Sequence, residues 1–276
     1  MNPHAAHSAS LPRLFGTLVS HRGLLAQMAS REISGRYSGS ILGFAWSMVN
    51  PILMLAIYTL VFSVVFKARW GTGPNESRLD FALILFAGMI VHGFFADVLN
   101  RSTGLILGNA NYVRRVVFPL ELLVPVTLLG VLAHTAISMA VLIAALLVFK
   151  GALPWTAVLL PVVFAPLVLL TLGLGWILAS LGVYIRDVGQ AVGLLTTVLL
   201  FVSPMFYPIS AVPAELRTWI HLNPLTFIME QTREVLIWGR MPSFAGLLLY
   251  TVLAAAVALA GFWWFQRTRK GFSDVL

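Results

Sequence analysis

The stretch ILGFAWSMVNPILMLAIYTLVFSVVF, residues 41–66, runs for 26 positions without one charged side chain. About 20 apolar residues are enough to cross the hydrocarbon of a bilayer as a helix, so this segment reads as a membrane span. Working outward from it, five further apolar runs follow at 81–99, 122–149, 165–185, 188–207 and 243–266. The fourth belongs to a longer run from Gly151 that holds Pro154, Pro161 and Pro166, and its early part is expected as loop; the fifth becomes irregular at Pro204. Composition points the same way. Of 276 residues 59% are hydrophobic and 10% charged, whereas a soluble domain carries roughly 25% charge, and mean hydropathy is +0.91. Such a chain cannot clothe a soluble surface with charge. The expected fold is an all-α integral membrane protein with six transmembrane helices per subunit, forming one membrane domain over 1–276. The lack of cysteine excludes disulfides, thiolate metal sites and thiol nucleophiles.

Lys and Arg in short loops set orientation. In a six-span arrangement the side that holds both termini collects Arg13, Arg22, Arg31, Arg36, Arg101, Arg114, Arg115, Arg186, Arg267, Arg269 and Lys270, eleven of the 18 basic residues. The other side has Lys67, Arg69, Arg78, Lys150, Arg217, Arg233 and Arg240, diluted by Glu76, Asp80, Glu215, Glu230 and Glu234. Both termini are therefore expected in the cytoplasm. The net charge of +8 needs no nucleic acid partner, because basic loops beside anionic lipid account for it.

The first forty residues contain no apolar stretch followed by a small-residue cleavage site, so they are expected to stay on the protein. Residues 1–10 read as a disordered tail and 11–36 as a helix on the cytoplasmic leaflet, with Leu11, Leu14, Phe15, Leu18 and Leu25 near one face. Near the other end, Asn223 and Pro224 split the segment between the fifth and sixth spans into two short outer helices. In the second, Leu225, Ile228, Met229, Thr232, Val235 and Leu236 recur at helical spacing, with Glu230, Arg233 and Glu234 on the opposite side. It either floats at the outer interface or dips into the membrane where protein or water covers it.

Chemistry-bearing motifs are scarce. No Gly-Lys pair exists to open a phosphate-cradling loop, and none of the six histidines pairs with another at zinc-site spacing. No metal or cofactor is expected on this chain. His92 and His134 fall within spans, where a lone histidine serves as a helix-to-helix hydrogen bonder more often than as a proton relay. Midplanes almost empty of charge argue against ion coupling, and no paired carboxylates suggest a membrane-embedded transferase; both remain as alternatives of a different class. The aromatic residues Trp46, Tyr58, Phe62 and Phe66 in the first span, and Phe201, Phe206 and Tyr207 at the end of the fifth, either pack and face lipid or line a passage on which sugar rings could stack.

The sequence from Arg31 becomes recognisable as REISGRYSGSILGFAWSMVNPILMLAIYTLVFSVVF, followed by NYVRRVVFPLELL at 111–123, YIRDVGQ at 184–190, SPMFYP at 203–208 and LNPLTFIMEQTRE at 222–234. As a set these resemble the type-2 ABC exporter permeases of lipid-linked polysaccharide, the O-antigen group in particular. The resemblance implies a homodimer in the bacterial inner membrane, bound to two copies of a separate ATPase subunit that carries ATP and Mg. It implies passage of undecaprenyl-diphosphate-linked glycan between the subunits, with a coupling helix between the second and third spans and a gate of outer helices after SPMFYP. On this resemblance Arg31, Arg36 and Tyr37 are candidates for the substrate diphosphate at the cytoplasmic mouth, since arginine forks suit phosphate oxygens. Plain anchoring to lipid phosphate is the alternative for them. Trp46, Tyr58, Phe62, Phe66 and Tyr207 are the candidate channel aromatics, and Arg101, Arg114 and Arg115 the candidate ATPase contacts. Teichoic acid and other glycan permeases are similar over the same stretches.

Overall fold

The computed structural model describes residues 16, 19–35, 43–66, 69–71, 78–113 and 118–276. Arg36, Tyr37, Arg114 and Arg115 lie outside the described residues, as do 1–15 of the amino-terminal segment. Among the described residues there is no strand. The longer helices are α1 (Arg22–Gly35), α2 (Trp46–Tyr58, continued by a π-helical stretch, Thr59–Val65), α3 (Arg78–Thr103), α4 (Leu123–Lys150), α5 (Leu160–Tyr184), α6 (Val188–Val202), α7 (Ala214–Leu222), α8 (Pro224–Arg233) and α9 (Phe244–Thr268). Among the described residues four stretches are long and apolar enough to cross a membrane, at Leu79–Thr103, Leu120–Lys150, Trp155–Tyr184 and Phe244–Val275, while Trp46–Phe62 and Val188–Val202 are shorter apolar helices. This is a multi-pass, helical membrane protein.

Helix α3 is the axle. Phe81, Leu85, Val91, Phe94 and Val98, which cover several faces of it, are all buried, as expected of a helix that is apolar all round. The others pack on it and on each other through small residues, which let backbones approach where lipid gives helices no hydrophobic reason to associate. At the α5–α9 crossing a Cβ on Gly173 would stand 2.6 Å from Ala258 Cα, and one on Gly261 would strike the Gly173 carbonyl. Both prolines of α5 are accommodated: Pro161 falls in the first turn, where its missing N–H has no helical partner to lose, and Pro166 lies within the buried stretch.

The bundle has two ends. At one, Lys150 at the end of α4 meets Asp80 at the start of α3 at 3.0 Å. At the other, Arg101 near the end of α3 donates to Asp97 (2.6 Å) and to Glu32 of α1 (3.1 Å). That second bond ties α1 to the bundle. Gly130 of α4 makes room for it, because a Cβ there would stand 2.7 Å from Glu32 Cγ.

Candidate functional site

At the Lys150 end the chain leaves α6 at Ser203 and returns through two short helices. Tyr207 donates from its hydroxyl to the carbonyls of Phe201 (3.1 Å) and Val202 (3.0 Å), two acceptors that the ending helix leaves unsatisfied. Asn223 caps α8: its Oδ1 accepts from the Leu225 N–H at 2.9 Å while its amide donates to Ser203 Oγ at 2.8 Å. Pro224 follows at the first helical position, where its fixed φ suits a helix start. Thr156 Oγ1 donates to the Val235 carbonyl at 2.7 Å and Tyr250 OH to the Pro224 carbonyl at 2.9 Å, so the hairpin is fastened to the turn before α5 and to α9.

The expectation of an apolar face and a polar face on this helix is only half of what the structure contains. Leu225, Ile228, Met229, Thr232, Val235 and Leu236 are buried, but so is Arg233, with 0% of its side chain exposed. Its guanidinium is used in every direction. Nη1 donates to the Pro204 carbonyl (2.7 Å) and to Glu230 Oε1 (2.8 Å), and Nε donates to the Ile84 carbonyl (3.2 Å). The carbon between them stands 4.5 Å from the centre of the Trp70 ring, within cation–π range. Gly88 completes the fit, since a Cβ there would lie 2.7 Å from Nη2. One buried cation thus joins α3, α8, the break after α6 and the segment before α3.

An aromatic run starts at the same place. Trp70 tilts against Phe81 (5.8 Å between ring centres), Phe81 stacks on Phe62 (5.9 Å), Phe62 on Phe206 (5.6 Å) and Phe206 on Phe201 (6.0 Å). Phe62 also contacts Tyr58 and Phe66, at 6.5 and 5.7 Å. Of the sequence-selected aromatics, Tyr58, Phe62 and Phe66 therefore share one cluster, and Tyr207 closes the helix beside it. Trp46 is at the far end of α2 and 45% exposed. Tyr58 also borders a separate cavity of about 230 Å³ between α2, α3 and α4, with Asn50, Asp97, His134 and Ser138.

Among the selected arginines, Arg31 is exposed on α1 and Arg101 is held by Asp97 and Glu32. A second ionic cluster at that end pairs Arg269 with Glu121 (2.9 Å), whose backbone carbonyl accepts from Trp176 Nε1 (3.0 Å). His92 Nε2 donates across helices to the Thr196 carbonyl at 2.9 Å, the bonding role its place in a span suggested. Sequence reasoning missed Trp70, Phe81, Gly88 and the burial of Arg233. Arg233 lies four residues from both Met229 and Ile237, which are core residues, but helical spacing alone assigns a charge there to the polar side.

A family profile described as ABC-2 type transporter matches residues 24–237, which takes in α1, the aromatic run and the hairpin. The chain belongs to the ABC-2 type transporter family. An O-antigen export system permease protein, RfbA, of Myxococcus xanthus is 28% identical over 264 residues, covering 95% of this chain and 98% of that protein. The Klebsiella pneumoniae protein of the same name is 24% identical over 255 residues, 92% and 95% of the two chains. The polysialic acid transport protein KpsM of Escherichia coli is 25% identical over 246 residues, 87% and 91%. Within this ABC-2 chain the buried arginine and the aromatic run both fall inside the matched region.

Proposed function

We propose that this chain is the membrane subunit of an ATP-driven exporter that moves lipid-linked polysaccharide of the O-antigen type out of the cytoplasm across the inner membrane. The observation that carries this reading is the similarity to an O-antigen export permease over almost the full length of both chains. In this reading the chain crosses the membrane six times with both termini inside, and the Arg101 end is cytoplasmic. Two copies pair along α2 and α6, whose apolar side chains, among them Ile52, Leu53, Leu60, Leu194, Val198 and Phe201, are left exposed by a single subunit. Two copies of a separate ATPase, with ATP and Mg, supply the energy. Arg31, Arg36 and Tyr37 take the diphosphate at the inner mouth, and Arg114 and Arg115 contact the ATPase. Arg101 acts indirectly, by holding α1 against α3 through Glu32. A corridor so poor in charge suits a long hydroxyl-rich polymer, which shallow aromatic contacts release, and in this reading the carrier is undecaprenyl diphosphate.

The test is complementation. Cells deleted for the chain should lose surface polysaccharide and accumulate lipid-linked polymer inside, and both should revert on re-expression with the ATPase. Restoration of polymer on the surface without any ATPase sinks the reading. Sidedness is tested apart from it: a cysteine at Ala214 should react with an impermeant thiol reagent in intact cells, and one at Ser273 should not.

A further inference from the structure

The Lys150 end contains a cavity of about 380 Å³ between the segment before α3, the turn after SPMFYP and the hairpin. That volume is in the range of about 300–1,000 Å³ typical of small-ligand sites. Two of its walls are tryptophans, Trp70 and Trp238; its polar groups are Glu230, Glu234, Arg240 and Ser210. We propose that this cavity is a saccharide-binding site for a neutral, hydroxyl-rich unit of the polymer, taken up as it emerges on the outer side. The proposal rests on the export reading above and adds a binding site to it.

Aromatic planes match this ligand because the C–H bonds on one face of a pyranose carry partial positive charge and meet the negative face of an indole. Trp70 gives the cavity a rigid wall: it is only 6% exposed and held by Arg233 at 4.5 Å from its centre and by Phe81, so it meets a ligand at its edge and the stacking plane is Trp238. Trp238 is partly exposed at the end of the hairpin, and the Arg240 N–H bonded to the Glu234 carbonyl at 2.9 Å fixes the turn that follows it.

The carboxylates are placed to accept from sugar hydroxyls. Arg233 takes Oε1 of Glu230, which leaves Oε2 for a ligand. Glu234 is 3.8 Å from Arg240 Nη1, too long for a hydrogen bond, so neither group is consumed by the other. Burial pushes the Glu234 carboxyl above its ordinary range, Arg240 opposes that shift, and Glu230 adds to it. A hydroxyl pair bridging the two glutamates relieves this lack of solvation, whereas a polyanion finds the Arg233 charge already taken by Glu230 and only the exposed Arg240 beside two carboxylates. The site therefore selects against acidic polymers.

The experiment uses the full chain with its ATPase in nanodiscs, and as probe the lipid-free polysaccharide released from the surface of cells whose export the chain restores, with polysialic acid as the polyanion. The unaltered protein should bind the neutral probe and bind polysialic acid at least tenfold more weakly. Trp238→Ala and Glu234→Gln should each weaken neutral binding about tenfold, while Trp238→Phe, which keeps an aromatic plane, should keep most of it. A melting temperature no lower than that of the unaltered protein excludes a folding cause, and Glu234→Gln serves alone if the alanine variant does not fold. Binding unchanged in Trp238→Ala and Glu234→Gln, equal or tighter binding of polysialic acid, or no saccharide binding by the unaltered protein overturns the site. In each of these cases a chain that still complements surface polysaccharide leaves the export reading standing.

Discussion

Arg233 and Arg101 do the same mechanical job at opposite ends of the bundle, and their surroundings make that job very different in energy. Each ties a short helix to α3, Arg233 through the backbone carbonyl of Ile84 and Arg101 through the carboxylate of Glu32. Arg233 is wholly buried and meets three carbonyls' worth of backbone as well as Glu230 and an indole face. Arg101 keeps a third of its side chain in contact with solvent, at 33%, and its partners Glu32 and Asp97 are about as exposed. Water and salt weaken the second node and cannot reach the first. The Lys150 end is thus built as a fixed frame around the hairpin, and at the Arg101 end α1 is held by a looser tether that water reaches.

The comparison breaks if Arg233 proves dispensable. Arg233→Met removes one member of a buried ion pair and leaves Glu230 and the carbonyls without their donor, at a cost of about 3–5 kcal/mol. Thermal unfolding of the purified protein, and the yield of folded protein in membranes, should both fall sharply. Arg233→Lys should rescue little, because an ammonium cannot span the fork of acceptors.

A sharper form uses Gly88. An added methyl meets Arg233 Nη2 at 2.7 Å, so Gly88→Ala should cost about 1–3 kcal/mol by overpacking. In the Arg233→Met background that cost should shrink, and a double-mutant cycle reads the coupling directly. Additive losses would mean that Gly88 is needed for another contact.

At the other end Glu121→Gln, which weakens the largely buried pair with Arg269 but keeps a hydrogen-bonding oxygen, should cost about 1–2 kcal/mol. Arg101→Ala should cost less, about 1 kcal/mol or under, and that cost should decline as ionic strength rises. Limited proteolysis within α1 would register the loosened tether even where the melting temperature barely moves. An Arg101→Ala loss as large as that of Arg233→Met would overturn the contrast between frame and tether.

The smallest expected effect is on pH. Burial raises the Glu234 carboxyl above its ordinary value of 4.5. A raised acid is favoured in its protonated form, so its contribution to stability is full below pH 4.5 and is lost as pH rises through the elevated folded value. Glu234→Gln mimics the protonated state. It should therefore melt slightly higher than the native chain near pH 7, with the difference vanishing toward pH 4; a difference that grows on acidification would reverse the assignment.

Much of this was legible in the residues themselves. Runs such as 81–99 and 122–149 declare helices in lipid, because nothing else satisfies the backbone there, and the Asn223–Pro224 step declares a capped restart. The near absence of charge between span ends was legible too. The family could be recognised from short motifs spread along the chain. Which aromatics meet was not legible: Tyr58, Phe62 and Phe66 follow helical spacing, but Phe81, Trp70 and Phe206 join them only by folding.

The sequence by itself determined the solvent of this protein, its helical class and its family, since apolar length, capping residues and motif order are properties of neighbouring positions. Only the tertiary structure decided that Arg233 belongs inside. Periodicity assigns a charged residue to the polar side of a helix by default, and that default fails when the carbonyls of Ile84, Pro204 and Met205, the Glu230 carboxylate, the Trp70 face and the space beside Gly88 converge from four separate segments. No local pattern encodes that convergence, because burying a charge is tolerable only once all its partners are in place together.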